Sequence, residues 1–121
     1  MINRNTVFKW LDSIFKKGVP SDVKALYLNL VETVGDIDIE LFGIGAFDPN
    51  NVDWACDVNY QGKSLELIDV MGKPEDWERV LNDVSKLLSD YIALNQDKVA
   101  SISRIGVGFG DSEIDLVKNE I

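Results

Sequence analysis

The feature that most constrains this chain is a long amphipathic stretch. Trp77, Val80, Leu81, Val84, Leu87, Leu88, Tyr91 and Ile92 fall on one stripe of a 3.6-residue repeat. Pro74 stands where a first-turn proline belongs, and Glu75 and Asp76 suit the positive end of a helix, so the spacing predicts about five helical turns. Such a stripe must cover another element. Burying side chains of this kind is worth roughly 1.5 to 3 kcal/mol each, so the placement of this helix should dominate the architecture.

What it covers is written in two-residue alternations. Ile37, Ile39 and Leu41 alternate with Asp36, Asp38 and Glu40, which predicts a strand with one apolar and one acidic face. Upstream, Leu26, Leu28 and Leu30 alternate with Ala25, Tyr27, Asn29 and Val31, a strand buried on one face and partly covered on the other, with helix as the competing reading. Val34, Gly35 and Asp36 supply a turn between them, and an antiparallel hairpin follows. Gly43, Gly45, Pro49, Asn50 and Asn51 mark a loop, after which Val52 to Tyr60 reads as a third strand with Trp54, Cys56 and Val58 on one side and Asp53 and Asp57 on the other. Gln61 and Gly62 turn the chain into a short edge strand, Leu65 to Val70.

At the N-terminus, Val7, Trp10, Leu11, Ile14 and Phe15 recur at helical spacing within Thr6 to Lys17, with Asn5 or Thr6 as cap and Gly18 as stop. After Asn95, Val99, Ser101, Ser103, Ile105, Val107 and Phe109 share one alternation and Ile102 and Arg104 the other, before a turn at Gly110 and Asp111 and a closing segment with Ile114 and Leu116. The expected fold is a single α+β domain over residues 1–121: an antiparallel sheet of about four to six strands, with the N-terminal helix and the long central helix packed on one face. The opposite face then displays the acidic residues of the second and third strands.

Apolar residues make up 45% of the chain and charged residues 27%, which is ordinary globular composition. A chain of this size buries roughly two thirds of its unfolded surface and needs neither disulfides nor a structural metal. The single cysteine agrees, and with no uninterrupted apolar leader (Lys9 and Asp12 break the Val7 to Phe15 segment) it points to a cytoplasmic location. No stretch reaches the eighteen or so apolar residues of a membrane span. The net charge of -9 is unevenly spread: residues 1–24 carry +3, residues 25–72 carry -8 and residues 73–121 carry -4. A field of this sign repels nucleic acid and anionic membranes and draws in cationic partners at rates that fall with salt.

There is no histidine, which removes the usual general base, the commonest zinc ligand and the usual activator of a serine or cysteine nucleophile. Cys56 lies among apolar and anionic neighbours, which disfavour thiolate, so it reads as structural. Asp36, Asp38 and Glu40 would project from one strand face at intervals of about 6.7 Å, near the range of inverting glycoside hydrolysis. That chemistry requires one carboxyl in an apolar pocket, so a solvated or partner-binding face is the better reading. Asp48 to Asn59 begins like a calcium loop, but Asp53 stands where glycine is required and Asn59 where a bidentate glutamate belongs, so no metal is expected. Gly106, Gly108 and Gly110 lack the lysine and hydroxyl of a phosphate loop; alternate strand glycines indicate a bulky ring or backbone packed close. Trp54, between Asp53 and Asp57, reads either as core or as the aromatic anchor of an interface. No cofactor and no enzymatic activity are expected.

Four strings, Ala25 to Glu32, Ile39 to Gly43 leading into Phe47 and Asp48, Asp53 to Asp57, and Ile105 to Asp111, together resemble small acidic bacterial immunity proteins encoded beside polymorphic or contact-dependent toxins. The resemblance spans roughly residues 23–117. It implies a non-enzyme that neutralises a cognate toxin by tight binding, typically a nuclease with a basic cleft. The acidic face supplies the candidate binding residues: Asp36, Asp38, Glu40, Asp53 and Asp57, with Trp54 as anchor. The rival readings are a small regulatory or housekeeping binding domain, dimeric through an exposed sheet face, and a carboxylate-dependent enzyme.

Overall fold

In a computed structural model, which describes the chain except for residues 1, 34, 46–49, 52–53, 57, 68–75, 111–113 and 121, the N-terminal helix α1 runs Arg4–Lys17. Its cap is Asn3, two or three residues before the expected Asn5 or Thr6, which instead lie in the first turn: the Asn3 carboxamide oxygen accepts from their N–H groups. Gly18 ends it in a left-handed conformation (φ 103°) with its N–H returned to the Ile14 carbonyl. Val7, Trp10, Leu11 and Ile14 form the buried stripe.

Strand β1 is Ala25–Glu32 and β2 is Ile37–Ile44, an antiparallel hairpin in which Leu28 faces Leu41 and Leu30 faces Ile39. The N–H of Thr33 bonds the Asp36 carbonyl and closes the connection, so Asp36 belongs to the turn and not to the strand. The expected third strand over Val52 to Tyr60 is corrected. Among the described residues of that span, Trp54–Cys56 forms a 3₁₀ turn and strand begins at Val58, in β3, Val58–Gln61. Pairing to β2 continues in β4, Leu65–Leu67, so β3 and β4 are one interrupted edge strand whose register shifts as it passes. The remainder of the expected edge strand lies outside the described residues.

The long helix α2 spans Trp77–Leu94, with Val80, Leu81, Val84, Leu88 and Tyr91 buried; Pro74 and Glu75 lie outside the described residues. Trp77, on the same stripe by spacing, is 39% exposed and leans edge-on against Phe109 at the end of the sheet. A short helix α3, Gln96–Val99, replaces the start of the expected strand, and β5 begins only at Arg104, running to Phe109. Val99 and Ile102 are buried all the same. The chain then turns back into β6, Asp115–Asn119.

Among the described residues the sheet has six strands in the order β3-β2-β1-β5-β6, with β4 also on β2. It is antiparallel except at its centre, where β1 and β5 run parallel. The expected antiparallel sheet with helices on one face is thus observed, with this single parallel pair as the departure: α2 and α3 cross over the sheet and return the chain on the far side of β1, beside it and in the same direction. Both long helices lie on one face, where α1 and α2 bury Leu26, Leu28, Leu30, Ile37, Ile39, Leu41, Ile105 and Val107 in the main core. Tyr91 ties the two helices: its ring meets Phe8 edge-on and stacks near Phe15, and its hydroxyl donates to Asp12, which also receives Lys98 at 2.9 Å. The fold is therefore α+β, and both long helices are absent from the other face of the sheet.

Candidate interaction face

The pairing registers lay out the helix-free face in rows. Ala25 stands between Ile44 and Arg104, Tyr27 between Phe42 and Gly106, Asn29 between Glu40 and Gly108, and Val31 beside Asp38. The rows divide the face in two.

One half carries a second, smaller core. The turn Trp54–Cys56 lays the Trp54 ring over Ala25, Tyr27 and Ile44, with Phe42, Ala55 and Ile114 packed around it. Tyr27 meets Trp54 edge-on at 6.4 Å, and the guanidinium of Arg104 lies 5.2 Å from the same ring. Arg104 is only 5% exposed, and two of its N–H groups donate to the Asn119 carboxamide at 3.2 and 3.1 Å. Gly106 is needed beneath them, because a Cβ there would stand 2.5 Å from Ile114 Cγ2 and 3.3 Å from the Trp54 ring. Gly106 thus packs against a neighbouring side chain and ring, as the glycine spacing implies, whereas a Cβ at Gly110 would meet nothing within 4 Å and that glycine serves a turn at φ +36°.

The other half is open and acidic. Asp38 and Glu40 project there, half-buried, two residues apart on β2 and so separated by about 6.7 Å. Val31, opposite Asp38, is 37% exposed. Glu40 accepts from the Asn29 amide at 2.9 Å, and the Asn29 carbonyl oxygen accepts from the Tyr27 hydroxyl at 3.2 Å and the Gly110 N–H at 3.1 Å. Asn29 therefore fixes one carboxylate oxygen of Glu40 and joins it to the Tyr27 hydroxyl and the turn at Gly110. Among the described residues, no lysine or arginine pairs with Asp38 or Glu40; the ion pairs join Arg4 to Asp90, Arg79 to Asp76 and Asp83, Lys98 to Asp12, and Lys118 to Glu120.

Of the six residues singled out from sequence, the structure brings Asp38 and Glu40 together on the open face. Asp36 sits at the hairpin turn just before them. Asp53 and Asp57 lie outside the described residues, as does the side chain of Cys56. Trp54 is 6% exposed and supports the face from the second core instead of projecting from it as an anchor. Asn29 and Val31 are the members that sequence reasoning passed over; their signal was the second alternation of β1. Among the described residues no group of histidine, cysteine, aspartate or glutamate is placed to hold a metal, and no helix is long and apolar enough to cross a membrane.

No protein family, curated protein or solved structure matches the chain.

Proposed function

We propose that this protein is an immunity-type inhibitor: it captures a cationic protein toxin on the helix-free face of its sheet and blocks the toxin's basic cleft, without catalysis of its own. One observation carries the reading. Asp38 and Glu40 occupy a face from which both long helices are absent, and none of the described lysines and arginines neutralises them. Carboxylates left unpaired this way steer a basic surface into contact, while an exposed apolar neighbour slows its departure. Val31 beside Asp38 supplies that neighbour, and the hydrogen bond from Asn29 holds Glu40 in place before binding. The partner in this reading is a nuclease with a basic active-site cleft, met in the reducing cytoplasm that the lone cysteine suits.

The test is genetic and then physical. Expression of the reading frame next to this gene should be toxic, and co-expression of this protein should relieve the toxicity. Relief should be lost in Asp38→Ser/Glu40→Ser. Equal relief by that double variant, at equal protein level, would reject the face as the binding surface.

A further inference from the structure

The two edges of the sheet are finished differently. At the β3–β4 edge the strand is interrupted between Gln61 and Leu65, the Gly62 N–H bonds the Leu41 carbonyl at 2.9 Å, and the Trp10 indole of α1 donates to the Lys63 carbonyl at 2.6 Å. That edge offers no continuous template to another chain. The opposite edge is β6, five consecutive residues, which among the described residues pairs with β5 alone. Near its centre Leu116 is 43% exposed, on the helix-free side opposite Gly106. No proline interrupts it, and its one lysine does not guard it: the Lys118 ammonium is turned inward onto the Val99 carbonyl at 2.7 Å.

Resting on the reading that the target is a cationic protein, we propose that β6 receives an extended basic segment of that target as a seventh strand of the sheet. Charge selects this occupant. Asp115 stands at one end of the strand, accepting from Ser85, Glu120 follows its other end, and Asp111 and Glu113 precede it in sequence; of the described bases beside it, Lys118 is drawn inward with Glu120 3.6 Å from it and Arg104 is buried on the Asn119 carboxamide. A second copy of this chain would bring these acids against their own kind; a strand bearing lysine or arginine would not. Main-chain hydrogen bonds then supply register and much of the affinity, and Leu116 covers the apolar side chains of the incoming strand.

A short peptide alternating lysine and valine is the probe, with the same peptide N-methylated at every second amide as the control that keeps charge and removes strand pairing. Titrated into the ¹⁵N-labelled protein, the parent peptide should shift the amides of Asp115 to Asn119 and slow their hydrogen exchange, and the N-methylated peptide should bind about tenfold or more weakly. Leu116→Lys, at an exposed position, should weaken the parent peptide more than Leu116→Glu does, since both lose the apolar cover and only lysine repels the peptide, with thermal melts showing both variants folded. Equal binding of the two peptides, or shifts confined to Asp38, Glu40 and their neighbours, would overturn the proposal. So would protection of β6 that rises with protein concentration in the absence of peptide, which would mark a second copy as the occupant. If Asp38→Ser/Glu40→Ser loses toxin relief while Leu116→Lys keeps it, the face reading stands and the edge proposal falls; the reverse pattern rejects the face and keeps the edge.

Discussion

Gly106→Ala tests whether the second core is packed as tightly as its geometry requires. The new Cβ would stand 2.5 Å from Ile114 Cγ2, 3.3 Å from the Trp54 ring and 3.5 Å from the Asp115 carbonyl oxygen. Carbon atoms pack at about 3.5 to 4.0 Å, so Ile114 must retreat by roughly 1 Å or the strand must move. Overpacking of this kind costs about 1 to 3 kcal/mol. Alanine also restricts the unfolded chain, which returns about 0.4 to 1 kcal/mol. The net expectation is a loss of about 1 to 2 kcal/mol, or roughly 4 to 8 °C in melting temperature for a domain of this size. Urea unfolding followed by tryptophan fluorescence measures it, and the double variant with Ile114→Ala isolates the cause. Removing the Ile114 methyl that obstructs the new Cβ should make the double variant more stable than the sum of the single effects by about 1 kcal/mol. If Gly106→Ala is as stable as the parent, or the two substitutions add within about 0.5 kcal/mol, the close approach is not a real constraint.

Other consequences follow from the same packing. Trp54→Ala should cost about 3 kcal/mol, since it empties the second core and exposes Arg104, and should lower the urea midpoint accordingly. Asn3→Ala removes the cap of α1 and should cost about 1 kcal/mol, with the loss visible in faster amide exchange over the first turn. The Asp12 carboxyl is held below its ordinary value by the hydrogen bonds from Lys98 and Tyr91, so its contribution is present above pH ~4 and fades as pH falls through the lower folded value; Asp12→Asn should flatten that acid limb of a stability profile. Burial, then the bond to Asp12, raises the Tyr91 phenol above its ordinary value, so its contribution is complete below pH ~10 and is lost at higher pH. Tyr91→Phe should remove this alkaline loss while costing about 1 kcal/mol at neutral pH.

Much of this fold is legible because its periods are strong. The apolar stripe of α1, the strict alternation of β2 and the stripe of α2 each specify an element and its buried face. Strand direction is not legible in the same way, since alternation is blind to it; the parallel pairing of β1 with β5 is decided by the crossover of α2 and α3. Trp54 shows a second limit. A few residues of alternating character fit a strand, but the chain needs a cover for Ala25, Tyr27 and Ile44, and a 3₁₀ turn places the indole there. For the candidate face, the acidic residues of β2 were visible from sequence, whereas the grip of Asn29 on Glu40 depends on cross-strand register, which only the pairing of β1 with β2 supplies.

In the proposed function Asp38 and Glu40, which none of the described lysines and arginines neutralises, draw in a basic partner. Stopped-flow association with the toxin encoded beside this gene, measured across ionic strength for the parent and for Asp38→Ser/Glu40→Ser, addresses it most directly. The parent should associate with a rate that falls steeply as salt rises, and the double variant should be slower at low salt by tenfold or more, with a shallower dependence and convergence at high salt. Identical rates and identical salt dependence for the two proteins would contradict the account.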